Sequence, residues 1–164
     1  MKSLFFILLF AVAAPLHAQP VSSDEFAIRG IIANETATWN TGDSIGYSRD
    51  FAQTGTLTNI RGQLFSGYAA FLKIHEAIFN GMFKNTTLSQ DIVSLTFLRP
   101  DIALVDTLTA VSGIVPGTPG ILTDEKGRLR TRLLQVIAKQ DGVWKIVSYH
   151  NVDVKPGVPV PEPK

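Results

Sequence analysis

The chain changes its pattern once, at Gly81, and that change constrains the fold more than any other feature. Before it, apolar residues recur at helical spacing. After it come four long segments rich in β-branched and apolar residues: Thr86 to Leu98, Ile102 to Val111, Arg128 to Gln140 and Val143 to Val152. Their connections are Arg99-Pro100-Asp101, a long Gly/Pro loop from Ser112 to Gly127, and Asp141-Gly142, a pair that suits a two-residue hairpin because both turn positions can require positive φ. Helices first and long strands afterwards specify an α+β protein with an antiparallel sheet. Strands of this length must twist and bend, and helices on one side fill the concave face.

The helical half is punctuated. Ser22-Ser23-Asp24-Glu25 reads as a capping box, in which a serine hydroxyl and the Glu25 carboxylate serve orphan amides. Ile28, Ile31, Ile32, Glu35 and Trp39 then share a stripe, and Gly42 is placed to stop the helix. Asp43 caps a second, shorter helix through Tyr47 to Phe51. Thr56 to Asn59 and Gln63 to Phe65 form a small hairpin about Arg61-Gly62. A third helix runs from near Ser66 to Asn80-Gly81 with Phe71, Ile74, His75, Ile78 and Phe79 on its buried stripe.

The two ends differ from the body. Lys2, the apolar run Leu4 to Ala14 and Leu16-His17-Ala18 match a cleavable export signal, residues 1–18, with the mature chain starting at Gln19. The apolar run is short for a bilayer of ~30 Å. Export to the periplasm or the medium is therefore expected, with no membrane attachment after cleavage. Residues 19–155 form one domain, and Pro156 to Lys164, with four prolines, is expected to be extended and mobile rather than packed.

Composition excludes several function classes. The 15 basic residues include Lys2, so the mature chain balances its 14 acidic residues and offers no long-range field for nucleic acid. The one basic run, Lys126, Arg128, Arg130 and Arg132, alternates at period two and reads as a solvated or interface face, with a phosphate-binding stripe as the alternative. With no cysteine there is no disulfide, thiolate nucleophile or cysteine metal ligand. No Gly-rich dinucleotide fingerprint follows a strand, and no histidine spacing suits a metal, so neither cofactor nor metal is expected.

Three stretches occur in an order that resembles a known family: Ala37-Thr38-Trp39-Asn40-Thr41-Gly42-Asp43, Thr58-Asn59-Ile60-Arg61-Gly62, and Lys139-Gln140-Asp141-Gly142-Val143-Trp144-Lys145-Ile146. They are similar to the nuclear transport factor 2-like superfamily, and within it to the SnoaL-like branch labelled SgcJ/EcaC, over about Glu25 to Val152. The resemblance implies a cone, also described as a cystatin-like roll: three helices in a strongly bent sheet, a pocket at the open end, and a homodimer through the outer sheet face. It also implies that position 59 matters, since ketosteroid isomerase relatives carry their general-base carboxylate in this hairpin. Asn59 cannot abstract a proton, but it can orient a ligand carbonyl or hydroxyl.

Candidate site residues follow from the patterning. His75 points inward from the third helix, either as a base or ligand contact or as a core histidine bonded to a backbone carbonyl. His150 shares a period-two face with Trp144, Ile146 and Ser148, so the two histidines are expected to converge in one concavity as proton carriers. Glu35 is either buried, with a raised pKa, or rolled outward to solvent. Asp106 has Ile102, Leu104 and Leu108 as same-face neighbours and lies either in the pocket or on an outer, dimer-forming face. Trp39, Tyr47, Phe71 and Phe79 form an aromatic wall or plain core. Two functions fit: a binding module for a small apolar or amphipathic molecule, or a cofactor-free acid/base enzyme of isomerase, cyclase or hydratase type acting on a cyclic carbonyl compound.

Overall fold

The computed structural model describes residues 22–163, so the expected leader lies outside the described residues. Three helices come first or early: α1 Ser23–Thr41, α2 Ser44–Ser48 and α3 Tyr68–Asn80. Six strands, β1 Phe51–Thr58, β2 Leu64–Ser66, β3 Thr87–Arg99, β4 Ile102–Ser112, β5 Leu129–Gln140 and β6 Val143–Asp153, make one sheet in the order β2-β1-β6-β5-β4-β3. The sheet curls around the helices without closing. Four neighbouring pairs are antiparallel, as expected. The exception is β1 with β6, which run parallel.

Local chemistry explains the boundaries. Ser22 Oγ accepts the Glu25 amide at 3.1 Å, but Glu25 turns its carboxylate to Arg29, so only half of the capping box forms. Gly42, at φ 69°, ends α1 with the left-handed residue that a β-carbon would disfavour. Asp43 caps α2 through the Gly46 amide at 2.9 Å. Asp141 and Gly142 both take positive φ in the β5–β6 turn. α3 starts two residues later than its sequence suggests, after Gly67, with no side-chain cap.

Burial concentrates inside the curl. Ile28, Ile31, Phe71, Val105, Leu133 and Ile146 are among the residues of the main core. A second buried cluster of Phe83, Leu88, Val111, Ile114 and Leu129 lies beside Trp39, Ile78 and Ile121. Trp39 bridges the two and anchors its indole N–H on Thr86 Oγ1 at 3.1 Å.

Inner and outer faces are set by ladder register, and β6 carries one irregularity that decides the site. Ile137 pairs with Ile146 and Val136 with Ser148, so Val147 is left over as a bulge. A single extra residue shifts the alternation by one and moves every later side chain to the other face. Trp144 and Ile146 point inward before the bulge; Tyr149 points inward after it, and His150 is exposed.

The basic run meets the segment that follows the sheet. Arg130 and Arg132 lie on the outer face of β5, but Arg130 is buried and donates to Pro161 O at 2.6 Å and to Glu162. Arg128 holds Asp124 and Glu162 together. Glu162 of the proline-rich segment is thus tied to Arg128 and Arg130 by its carboxylate, while Pro156, Pro159 and Pro161 stay exposed.

Candidate functional site

A cavity of about 160 Å³ opens at the end of the cone that holds the second cluster. Its wall is mostly apolar: Trp39, Leu57, Ile74, Ile78, Phe83, Leu88 and Val111 are among the lining residues. Arg61 and Gln63 from the β1–β2 turn are exposed, and Ile121 from the long loop joins them. Tyr47 and Tyr149 mark the buried end.

The two tyrosines meet hydroxyl to hydroxyl at 2.7 Å. Both are buried, and burial, which penalises the phenolate, holds both well above the ordinary tyrosine range. One O–H donates to the other oxygen, so the pair keeps a second O–H. Tyr149 reaches this place only through the Val147 bulge, and counting alternation from Trp144 selects His150 instead. No residue pattern around Val147 announces the bulge, so Tyr149 was not visible as a site residue.

His75 lies beside the pair, its ring centroid 4.6 Å from that of Tyr47, and lines the cavity. Its Nδ1 is 2.7 Å from Phe71 O. A carbonyl oxygen can only accept, so Nδ1 carries the proton and Nε2 the lone pair. Burial pushes the His75 pKa down to about 4, against the opposing pull of that backbone bond. One nitrogen of His75 is thus satisfied by its own helix, as a core histidine would be, while the ring stands on the cavity wall.

The other expected residues separate. His150 sits on the outer face in a shallow depression with Asp106, Arg132, Leu134 and Val152, so the two histidines do not converge. Asp106 also faces outward, because Ala103, Val105, Thr107 and Thr109 take the inner positions of β4; it is paired with Arg132. Phe71 and Phe79 belong to the buried core rather than to the wall, whereas Trp39 and Tyr47 do line the cavity. Asn59 lines it too, but its Oδ1 accepts the Arg61 and Gln63 amides and its Nδ2 donates to Gln63 Oε1, so its polar atoms brace the turn.

Glu35 is buried, not rolled outward, and stands away from the wall. Oε2 accepts from Gln135 Nε2 at 2.8 Å and Gln90 Nε2 at 3.2 Å. Burial raises its pKa to about 7, although both amide bonds favour the charged form. Glu35 Oε1 and Gln135 Oε1 are buried without a donor among the described residues. So is Oδ1 of Asn151, which the bulge places on the cavity wall.

A six-stranded sheet curled around three helices is the architecture of the nuclear transport factor 2-like proteins. Residues 28–151 match the model of the SnoaL-like domain, and the chain belongs to that family. Solved structures agree on the fold. A domain of unknown function with a cystatin-like fold from Nostoc punctiforme superposes with a TM-score of 0.70 at 24% identity, covering 81% of this chain and 78% of that one. An NTF-2-like protein of unknown function from Shewanella oneidensis gives 0.64 at 18%, covering 79% and 99%. A ketosteroid isomerase-like protein from Erwinia carotovora gives 0.64 at 14%, covering 82% and 98%. No curated protein matches the chain.

Proposed function

We propose that this SnoaL-like domain binds a small cyclic molecule and holds a carbonyl or hydroxyl of that molecule against Tyr47 and Tyr149. The observation that carries this reading is the hydroxyl pair, 2.7 Å apart at the buried end of a mostly apolar cavity. Apolar walls with a few convergent polar groups supply affinity and orientation respectively. The volume is close to that of an apolar cavity of about 150 Å³ that accommodates benzene, which suggests a ligand body of about one ring.

Binding ranks above turnover on the chemistry of the wall. His75, at about 4, is neutral and weakly basic at pH 7. The tyrosines stay protonated, and Glu35, poised at about 7, is not a lining residue. One feature favours an acid/base enzyme as the second reading: the Phe71 bond fixes His75 as a lone-pair acceptor beside a hydroxyl pair that keeps one O–H to donate, an arrangement suited to moving a proton in a cyclic carbonyl compound.

Trp39 lines the cavity, so its fluorescence reports occupancy. Titration with cyclohexanone, phenol and their hydrocarbon parents should show the oxygenated compounds binding more tightly, with the preference lost in Tyr149→Phe. Equal binding of parent and oxygenated compound by wild type would remove the proposed role of the pair. Product formed from such a compound by wild type and not by His75→Gln would place the enzyme reading first.

The finer placement in the SgcJ/EcaC branch, export through residues 1–18 and a homodimer through the outer sheet face belong to this proposal. The dimer is supported by Leu134 and Val152, which are 43% and 57% exposed on that face. Sedimentation at micromolar concentration and the intact mass of periplasmic or secreted material test the last two.

A further inference from the structure

We infer that Arg61 recognises an anionic group, so that the ligand is a small amphipathic carboxylic acid with its apolar body in the cavity and its carboxylate at the rim. This inference rests on the binding reading above and adds the charge of the ligand to it.

Three observations converge on Arg61. First, among the described residues it is the only one of the cavity lining with a permanent charge, and no Asp, Glu or Lys of that set contributes to the wall. Second, the six other arginines, Arg29, Arg49, Arg99, Arg128, Arg130 and Arg132, all pair with carboxylates. Arg61 has no such partner among the described residues; its Nη2 donates instead to Pro119 O at 2.9 Å. Among the described residues, every arginine except the one at the cavity has a carboxylate partner.

Third, the guanidinium is carried on a prepared base. Asn59 Oδ1 accepts the amides of Arg61 and Gln63, both at 3.0 Å, and Gly62 takes φ +75°. The turn is thereby fixed from both sides of Arg61. Pro119 uses one of five N–H donors, which leaves enough for a two-point contact with a carboxylate. The Pro119 bond also ties the turn to the long loop that contributes Ile121 to the wall, so the charged and apolar parts of the rim are held together. A ligand that satisfies the rim and the buried end carries an anion at one end and a hydrogen-bonding group or bare ring at the other.

The test compares 3-phenylpropanoate with 3-phenylpropanamide, which share shape and differ in charge, by Trp39 fluorescence and calorimetry on wild type, Arg61→Gln and Arg61→Lys. Arg61 is exposed and outside both cores, so the variants should fold. The acid is expected to bind wild type about five- to tenfold more tightly than the amide, a preference between that of exposed ion pairs and that of shielded charged hydrogen bonds. Arg61→Gln should lower acid affinity far more than amide affinity and so abolish the preference, Arg61→Lys should keep part of it, and added salt should weaken the acid more than the amide. Amide binding as tightly as acid to wild type overturns this inference and leaves the binding reading standing. An acid preference that survives Arg61→Gln also overturns it. Failure of both probes to bind wild type overturns it together with the reading it rests on.

Discussion

The two faces of the same sheet treat polar groups in opposite ways. On the inner face of β4 and β5, Thr109 and Thr131 stand directly opposite each other and share a 2.7 Å hydroxyl contact. On the outer face a few residues away, Asp106 and Arg132 form an ion pair in which Arg132 is half exposed. The inner polar set, Tyr47, Tyr149, His75, Thr109 and Thr131, is neutral, whereas the outer set of Asp106, Arg128, Arg130 and Arg132 is charged and paired. Burial is the cause: a charge inside must find partners or lose its charge, and His75 and Glu35 are both pushed toward their neutral forms. The interior of the cavity therefore offers shape and neutral hydrogen-bonding groups, and the permanent charge among its lining residues, Arg61, stands on the exposed rim.

The largest test of this contrast is a pair of truncations on β6. Ile146, on the inner face, is 1% exposed, and Ile146→Ala should cost about 2–5 kcal/mol in urea unfolding. Val152, on the outer face, is 57% exposed, and Val152→Ala should change stability by less than about 0.5 kcal/mol. A large loss at Val152 that grows with protein concentration would instead show the outer face covered by a second copy.

Next in size is the pH dependence of the two buried neutral groups, which have opposite signs. Folded Glu35 keeps its proton to about pH 7, whereas the unfolded carboxyl releases it near 4.5, so its contribution falls as pH rises through that window. Folded His75 stays neutral down to about pH 4, whereas the unfolded imidazole protonates near 6.5, so its contribution rises with pH between those values. Each is worth roughly 3 kcal/mol across its window, and in the wild type they largely cancel between pH 4.5 and 6.5. Glu35→Gln should expose the rise and His75→Gln the fall. Parallel pH profiles for wild type and both variants would show that neither group is held neutral.

Much of the fold was legible because local chemistry marks it. Ser22, Gly42, Asp43 and Asp141-Gly142 act within a few residues, and the structure uses each of them. The site was less legible because facing depends on register, a property of two strands at once. One unmarked bulge at Val147 exchanged His150 for Tyr149, and Asp106 could be placed only once β4 had its partners. Glu35 was ambiguous for a related reason: its burial depends on Gln90 and Gln135, which lie 55 and 100 residues away. Arg61 was visible only as a turn residue, since finding no counter-ion for it among the described residues requires every other element to be in place.

The smallest effects compare the two cross-strand polar pairs directly. Thr131→Val removes one hydroxyl of the buried pair, keeps the β-branched shape, and leaves the Thr109 hydroxyl without its 2.7 Å partner. The cost should be about 1–2 kcal/mol, that of a buried hydroxyl left unsatisfied. The double variant Thr109→Val with Thr131→Val should recover part of it, because two apolar groups then face each other. On the outer face, Asp106→Asn keeps size and removes charge from a pair whose arginine is 54% exposed, so solvent and salt already weaken the attraction. The expected loss is about 0.5 kcal/mol or less at low salt, vanishing as ionic strength rises. If Asp106→Asn proves as costly as Thr131→Val and insensitive to salt, the outer pair is shielded from solvent, and the contrast between the faces fails at that point.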